Sequence, residues 1–185
     1  MPNDAGHDER IALVFQHLPE VPSFDLRSDT ISPWQALSLP QMSGKYGVTG
    51  GQDISPQLSW DGAPPSTKSF AVTVFDPDAA TLSGFWHWAV ANIPATVRSL
   101  PTGAGDPRGT GLPPGSIQLR GDTGDAHFIG AAPAVGSGVH RYVITVHALN
   151  VDRIELPDGA SPGYLGFNMA ANTVGRATLV ATASL

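Results

Sequence analysis

Ser69-Phe70-Ala71-Val72-Thr73-Val74-Phe75, running into Asp76-Pro77-Asp78, is the stretch on which the fold turns. Apolar side chains occupy odd and even positions alike, so a strand built from it presents hydrocarbon on both sides of its sheet. Such a strand suits the interior of a sheet that is covered on both faces. Extended back to Ser66, it is the strongest strand signal in the chain.

Outward from it, the pattern is one of short alternating segments separated by Gly, Pro, Asp and Ser, which favours an all-β sandwich of two antiparallel sheets. A strand is predicted from Phe85 to Ile93, with His87 sharing a face with Ala89, Ala91 and Ile93. A further strand runs from His140 to Leu149, where His140, Tyr142, Ile144, Val146 and Ala148 form the core row and Arg141, Val143, Thr145 and His147 the other. The first strand is Phe24 to Ser28, with Phe24 and Leu26 inward. Pro101 to Ala126 is rich in Gly, Pro, Asp and Thr and reads as an ordered surface excursion with a short strand near Ile117-Gln118-Leu119.

A short C-terminal helix starts after Ser161-Pro162, an N-cap followed by proline in the first turn. Its apolar stripe reads either as Leu165, Met169, Thr173 and Ala177 or as Phe167, Ala170, Val174 and Ala177, with a final strand possible over Thr178 to Thr182. Residues 1–18 read as a flexible N-terminal arm and 19–185 as a single domain.

The composition agrees with one domain: 185 residues are enough to bury about 70% of the unfolded chain's surface. Trp34, Trp60, Trp86 and Trp88 are the large core candidates. The absence of cysteine excludes disulfides, thiolate catalysis and Cys-ligated zinc. With a net charge of −6 and ten scattered Lys and Arg residues, the chain lacks the basic stripe that a nucleic-acid partner requires. No stretch approaches the roughly 18 apolar residues of a membrane span. Met1 to Gln16 carries Asp4, Asp8 and Glu9 and lacks the pattern of a secretory signal, so a cytoplasmic protein is expected.

Three segments place ionisable residues within apolar strands or at their ends: Asp76-Pro77-Asp78-Ala79-Ala80, Phe85 to Asn92, and Gly130 to Tyr142. Each has an ordinary structural reading: a turn after a strand, a core histidine, and a glycine-permitted turn. Their combination carries more. Ser55-Pro56-Gln57-Leu58-Ser59-Trp60, Asp76-Pro77-Asp78, Trp86-His87-Trp88 and Gly138-Val139-His140-Arg141-Tyr142, in that order, resemble the signature set of the phosphatidylethanolamine-binding proteins, in particular the bacterial Raf-kinase-inhibitor-like branch. The resemblance runs from Phe24 to the C-terminal segment. It implies a β-sandwich with a pocket at one end for phosphate-like anions and phospholipid head groups, and a homodimer. Position by position, it implies that Asp76, Asp78, His87, Gly130, Ala131, Pro133, His140 and Tyr142 bind the ligand. Phe128 stands where many bacterial relatives have tyrosine, and Ala80, Ala131 and Ala134 stand where they have proline.

The residues suit that chemistry. A protonated imidazole donates from both nitrogens, and the N–H groups of a glycine-containing loop can form a concavity for anions. An ionised Asp76 opposes an anion by roughly 4 kcal/mol at about 4 Å and an effective dielectric near 20. Asp76 is therefore expected to pair with a pocket histidine or to accept a hydrogen bond from the ligand's own proton or ammonium.

Two other functions are open. Two histidines and two aspartates in one cavity could serve hydrolysis or metal-assisted catalysis. However, no Gly-x-Ser-x-Gly elbow, His-Glu-x-x-His helix or P-loop occurs, Ser137 lacks a nucleophile's strand-to-helix setting, and no catalytic residue, metal or cofactor is assigned. A kinase- or protein-interaction modulator is the other possibility, by analogy with eukaryotic relatives.

Overall fold

The computed structural model describes residues 14–185. Its strands are β1 (Asp25–Arg27), β2 (Leu58–Asp61), β3 (Ser69–Asp76), β4 (Phe85–Pro94), β5 (Ser99–Leu100), β6 (Ile117–Gln118), β7 (His140–Leu149) and β8 (Thr173–Ala183), and helix α1 spans Pro162–Met169. They form a three-stranded sheet, β1-β2-β5, and a five-stranded sheet, β6-β4-β3-β7-β8, both antiparallel.

The doubly apolar β3 lies at the centre of the larger sheet, between β4 and β7. One of its faces sends Phe70, Val72 and Val74 against Trp60, Leu58 and Leu100 of the smaller sheet. Its other face contributes Ala71 to a second apolar cluster with Leu165 and Met169 of α1. Each side of β3 therefore removes hydrocarbon from water, the dominant favourable contribution in such a fold. The outer edge of β8 is covered by the preceding segment, where Trp34 and Leu37 donate to Val180 and Thr182 and Thr182 donates to Gln35, so the longest strand offers no open edge there.

The core row on β7 follows the expected alternation, with Tyr142, Ile144, Val146 and Ala148 in the inter-sheet core. β4 departs from it. Trp86 pairs with Phe75 and Trp88 with Val74, so His87 is an extra residue, a β-bulge. The bulge puts His87 and Trp88 on the same side, facing Tyr142 and the inter-sheet core, while Ala89 and Ala91 pack on the helix side. The shared face expected for His87, Ala89, Ala91 and Ile93 is thus broken. A second irregularity, at Asn92 with φ +60°, returns Ile93 to the inter-sheet side. Asn92 is fixed by a reciprocal pair of bonds to the backbone of Ile154.

Trp60 and Trp88 are core residues, whereas Trp34 and Trp86 are only half-buried. Phe128 stands edge-on to Trp88, their centroids 6.1 Å apart. A Cβ at Gly105 would lie 2.8 Å from Phe128 and 2.9 Å from Trp88, so glycine lets the 101–126 excursion lie directly on this pair. Gln118 ties down the same excursion by accepting from the Trp88 indole and donating to the Asp106 carbonyl.

Helix α1 begins as expected, with the Ser161 side chain accepting from the Tyr164 amide. It ends earlier than either apolar stripe implied. A 3-10 turn over Ala170–Asn172 leads directly into β8, so Thr173 and Ala177 are strand residues and Phe167 is exposed. The proposed arm lies outside the described residues for its first thirteen positions. Further on, the Phe15 ring stacks 4.8 Å from the Arg176 guanidinium.

Candidate functional site

Three loops and the ends of β3, β4 and β7 enclose a cavity of about 390 Å³. Asp76 ends β3, His87 occupies the bulge of β4, and His140 and Tyr142 begin β7 on its core row. All four line the cavity together with Gly130 and Pro133. Six of the eight residues singled out in the sequence therefore meet. The other two lie elsewhere: Asp78 turns outward to Arg141, and Ala131 is buried behind the cavity wall, bridged to Met42.

Asp76 is buried, and both its oxygens are engaged. Oδ1 accepts the Asp78 amide at 2.8 Å and Oδ2 faces Nδ1 of His140 at 2.8 Å. The other ring nitrogen of His140 lies 2.9 Å from the Ser137 hydroxyl, which itself donates to the Ala134 carbonyl at 2.7 Å. All these contacts are satisfied together when the His140 ring donates from both nitrogens, one to Asp76 and one to Ser137. A serine nucleophile needs the reverse polarity, its hydroxyl donating to the imidazole.

His87 differs. Its Nδ1 lies 2.9 Å from the Ile129 carbonyl, an acceptor, so this nitrogen carries the proton. Burial pushes the His87 pKa below the ordinary histidine value, against the opposing pull of the Ile129 bond and of Asp76. The ring is neutral at pH 7, and Nε2 is left as an acceptor. Tyr142, edge-on to His87 at 5.1 Å, has its phenol pKa pushed up, first by burial and then by Asp76 and Asp78. Its hydroxyl is a protonated donor.

The loop carrying Gly130 is held from behind. Ile129, Gly130 and Ala131 donate their amides to the His87 carbonyl, the Asp53 carboxylate and the Gln41 carbonyl. These amides support the wall and do not face a ligand. Ala132 and Ala134 of the same loop line the cavity. Gly130 is glycine for a steric reason: a Cβ there would come within 2.4 Å of the Met42 backbone.

The sequence reading did not pick out Tyr46, Phe85, Asp122, Thr123 or Ser137, all of which line the cavity. Ser137, three residues before His140 in a glycine-flanked turn, carried a readable signal; Asp122 and Tyr46 sat in loops without one. Phe128 lies in the core, so the hydroxyl it lacks is not missing from this cavity, whereas Ala80 and Ala134 do line it. Among the described residues no cluster of His, Asp and Glu has the arrangement of a metal site.

Known proteins resemble this chain in sequence and in fold. The sequence profile of the phosphatidylethanolamine-binding protein matches residues 28–184. The chain belongs to that family. The Escherichia coli K12 protein YbcL is 43% identical over 157 residues, 85% of each chain. YbhB of the same organism is 47% identical over 131 residues, 71% of this chain and 82% of YbhB. The crystal structure of E. coli YbcL, described as a new member of the mammalian family, superposes with a TM-score of 0.85 at 41% identity, covering 88% of this chain and 99% of that one. The family's protein from Plasmodium vivax shares the fold at a TM-score of 0.56 and 15% identity, covering 99% of this chain and 98% of that one. Membership makes this a ligand-binding protein in the general sense.

Proposed function

We propose that the cavity binds a phosphate-bearing head group that brings its own positive charge or proton, a phosphoethanolamine-like zwitterion. One observation carries this reading: among the described residues the lining holds two carboxylates, Asp76 and Asp122, and no lysine or arginine. A bare dianion would meet like charge, a neutral His87, and a His140 whose two N–H groups are already taken by Asp76 and Ser137. A zwitterion offers phosphate oxygens to the Tyr142 hydroxyl and the Ala132 and Ala134 amides, and an ammonium to carboxylate oxygen and the His87 lone pair. The net charge of −6 also repels free anions more than it repels a zwitterion. A cytoplasmic homodimer, testable by cell fractionation and sedimentation, completes the reading.

Calorimetric titration with phosphoethanolamine and with inorganic phosphate tests it. Phosphoethanolamine binds more tightly, and Asp76→Asn or Tyr142→Phe weakens it by about ten-fold, the loss of one charge-assisted hydrogen bond. Vesicles with and without phosphatidylethanolamine separate lipid from free head group. Equal affinity for both small ligands, or indifference to both substitutions, rejects the reading.

The line of Ser137, His140 and Asp76 gives hydrolysis as a second reading, which requires the Ser137 hydroxyl to turn from the Ala134 carbonyl to His140. A fluorophosphonate probe decides it: labelling of Ser137 that disappears in His140→Ala would replace binding with turnover.

A further inference from the structure

The large sheet carries a second cavity, of about 320 Å³, on its opposite face beneath α1, and it shares no lining residue with the first. We propose that this cavity is a separate binding site for a small amphiphilic monoanion, an aliphatic or aromatic body bearing one carboxylate that pairs with Arg176.

The walls set the body of the ligand. Phe75 and Trp86, their rings 4.4 Å apart, line the cavity with Val143 and Met169, a surface suited to hydrocarbon or an aromatic ring. Besides Arg176, the polar lining groups among the described residues are Thr73, Thr145, Thr173, His17 and His147; Thr173 donates to the Met169 carbonyl, and His147 is bonded through Nε2 to Thr73 at 3.2 Å.

The charge sets the head group. Arg176 lies opposite His147 in the β7–β8 register and is half-buried, and no carboxylate among the described residues pairs with it. Its Nε is buried and has no hydrogen-bond partner, and its described side-chain contact is the Phe15 ring. Burial lowers its pKa, as expected for a guanidinium taken from water without a counter-charge. A guanidinium fork matches a carboxylate in two parallel bonds, and a site in which Arg176 is the one lysine or arginine among the described lining residues suits a monoanion better than a phosphate dianion.

The helix above keeps the space open. Gly163 and Gly166 both line the cavity from within α1, and a Cβ on Gly166 would meet nothing within 4 Å. Packing does not require glycine at 166, and glycine weakens a helix interior relative to alanine. Its effect here is to leave room.

Calorimetry with octanoate and with octanol on the full chain tests the proposal. Octanoate binds about ten-fold or more tightly than octanol, the difference a charge-assisted pair makes. Arg176→Gln removes that difference. Gly166→Leu fills the cavity from a helix that leucine strengthens, and so abolishes binding in a protein whose thermal transition is kept. His140→Ala, in the first cavity, leaves octanoate affinity unchanged. Equal binding of acid and alcohol, full affinity in Arg176→Gln or Gly166→Leu, or loss of octanoate in His140→Ala overturns the assignment, and none of these outcomes depends on what the first cavity binds.

Discussion

Arg141 meets Asp78 through three bonds: its Nε and its backbone amide both reach Oδ2, at 2.7 and 2.8 Å, while Nη2 reaches Oδ1 at 2.7 Å. The pair joins the turn after β3 to the start of β7, and the Asp78 amide in turn holds Oδ1 of Asp76. Asp78 thus acts on the cavity without lining it, by fixing the carboxylate that faces His140.

Asp78→Asn is therefore expected to cost about 1–2 kcal/mol of stability, a charge-assisted pair discounted for its partial exposure. Burial raises the Asp78 pKa, but the Arg141 bonds outweigh it and the net shift is downward from 3.8. Stability from this group is present above the ordinary carboxylate range and is lost as pH falls through the lowered pKa. Urea unfolding near neutrality and at about pH 3 gives a smaller difference between wild type and variant at the acid end.

Much of this was legible in the chain, for reasons particular residues make plain. Strand β7 keeps unbroken alternation from His140 to Leu149, so period two assigned its faces correctly. Strand β4 has the same composition but contains irregularities at His87 and Asn92, and a bulge changes facing without changing any residue type. Apart from Arg176, the stretch from Thr173 to Ala177 is small or β-branched and satisfies a helix stripe as well as a strand; pairing with β7 decides it. Long-range partners had no local sign: nothing near Asp53 announces its bond to Gly130, 77 residues away.

Gly130→Ala tests how closely the wall is built. The added Cβ would stand 2.4 Å from the Met42 carbonyl carbon and 2.7 Å from the Ser43 nitrogen, backbone atoms that cannot swing aside. The bonds from Gly130 to Asp53 and from Ala131 to Gln41 would have to lengthen. A loss of about 2–3 kcal/mol in chemical unfolding is expected, the upper part of the range for overpacking. An unchanged midpoint would mean that the loop has freedom these contacts deny it.

His147 sets the acid sensitivity of the sheet. Its ring is buried on the helix side, and burial first, then the charge of Arg176, pushes its pKa from 6.5 down to about 3. Burial pushes His87 in the same direction. Below the ordinary histidine range the unfolded chain takes up a proton at each position that the folded chain refuses. Stability is thus fully present above that range and falls as pH drops, by up to about 1.4 kcal/mol per pH unit for each ring. For His147 the loss continues until the folded ring itself protonates near 3. Gln in place of His147 keeps a side chain able to bond Thr73 and removes one of the two titrations. Unfolding free energies measured from about pH 7 to about pH 5 should then fall less steeply in His147→Gln than in wild type, by about 1 kcal/mol per unit averaged over that interval. Parallel slopes would show that this ring is already charged in the native protein.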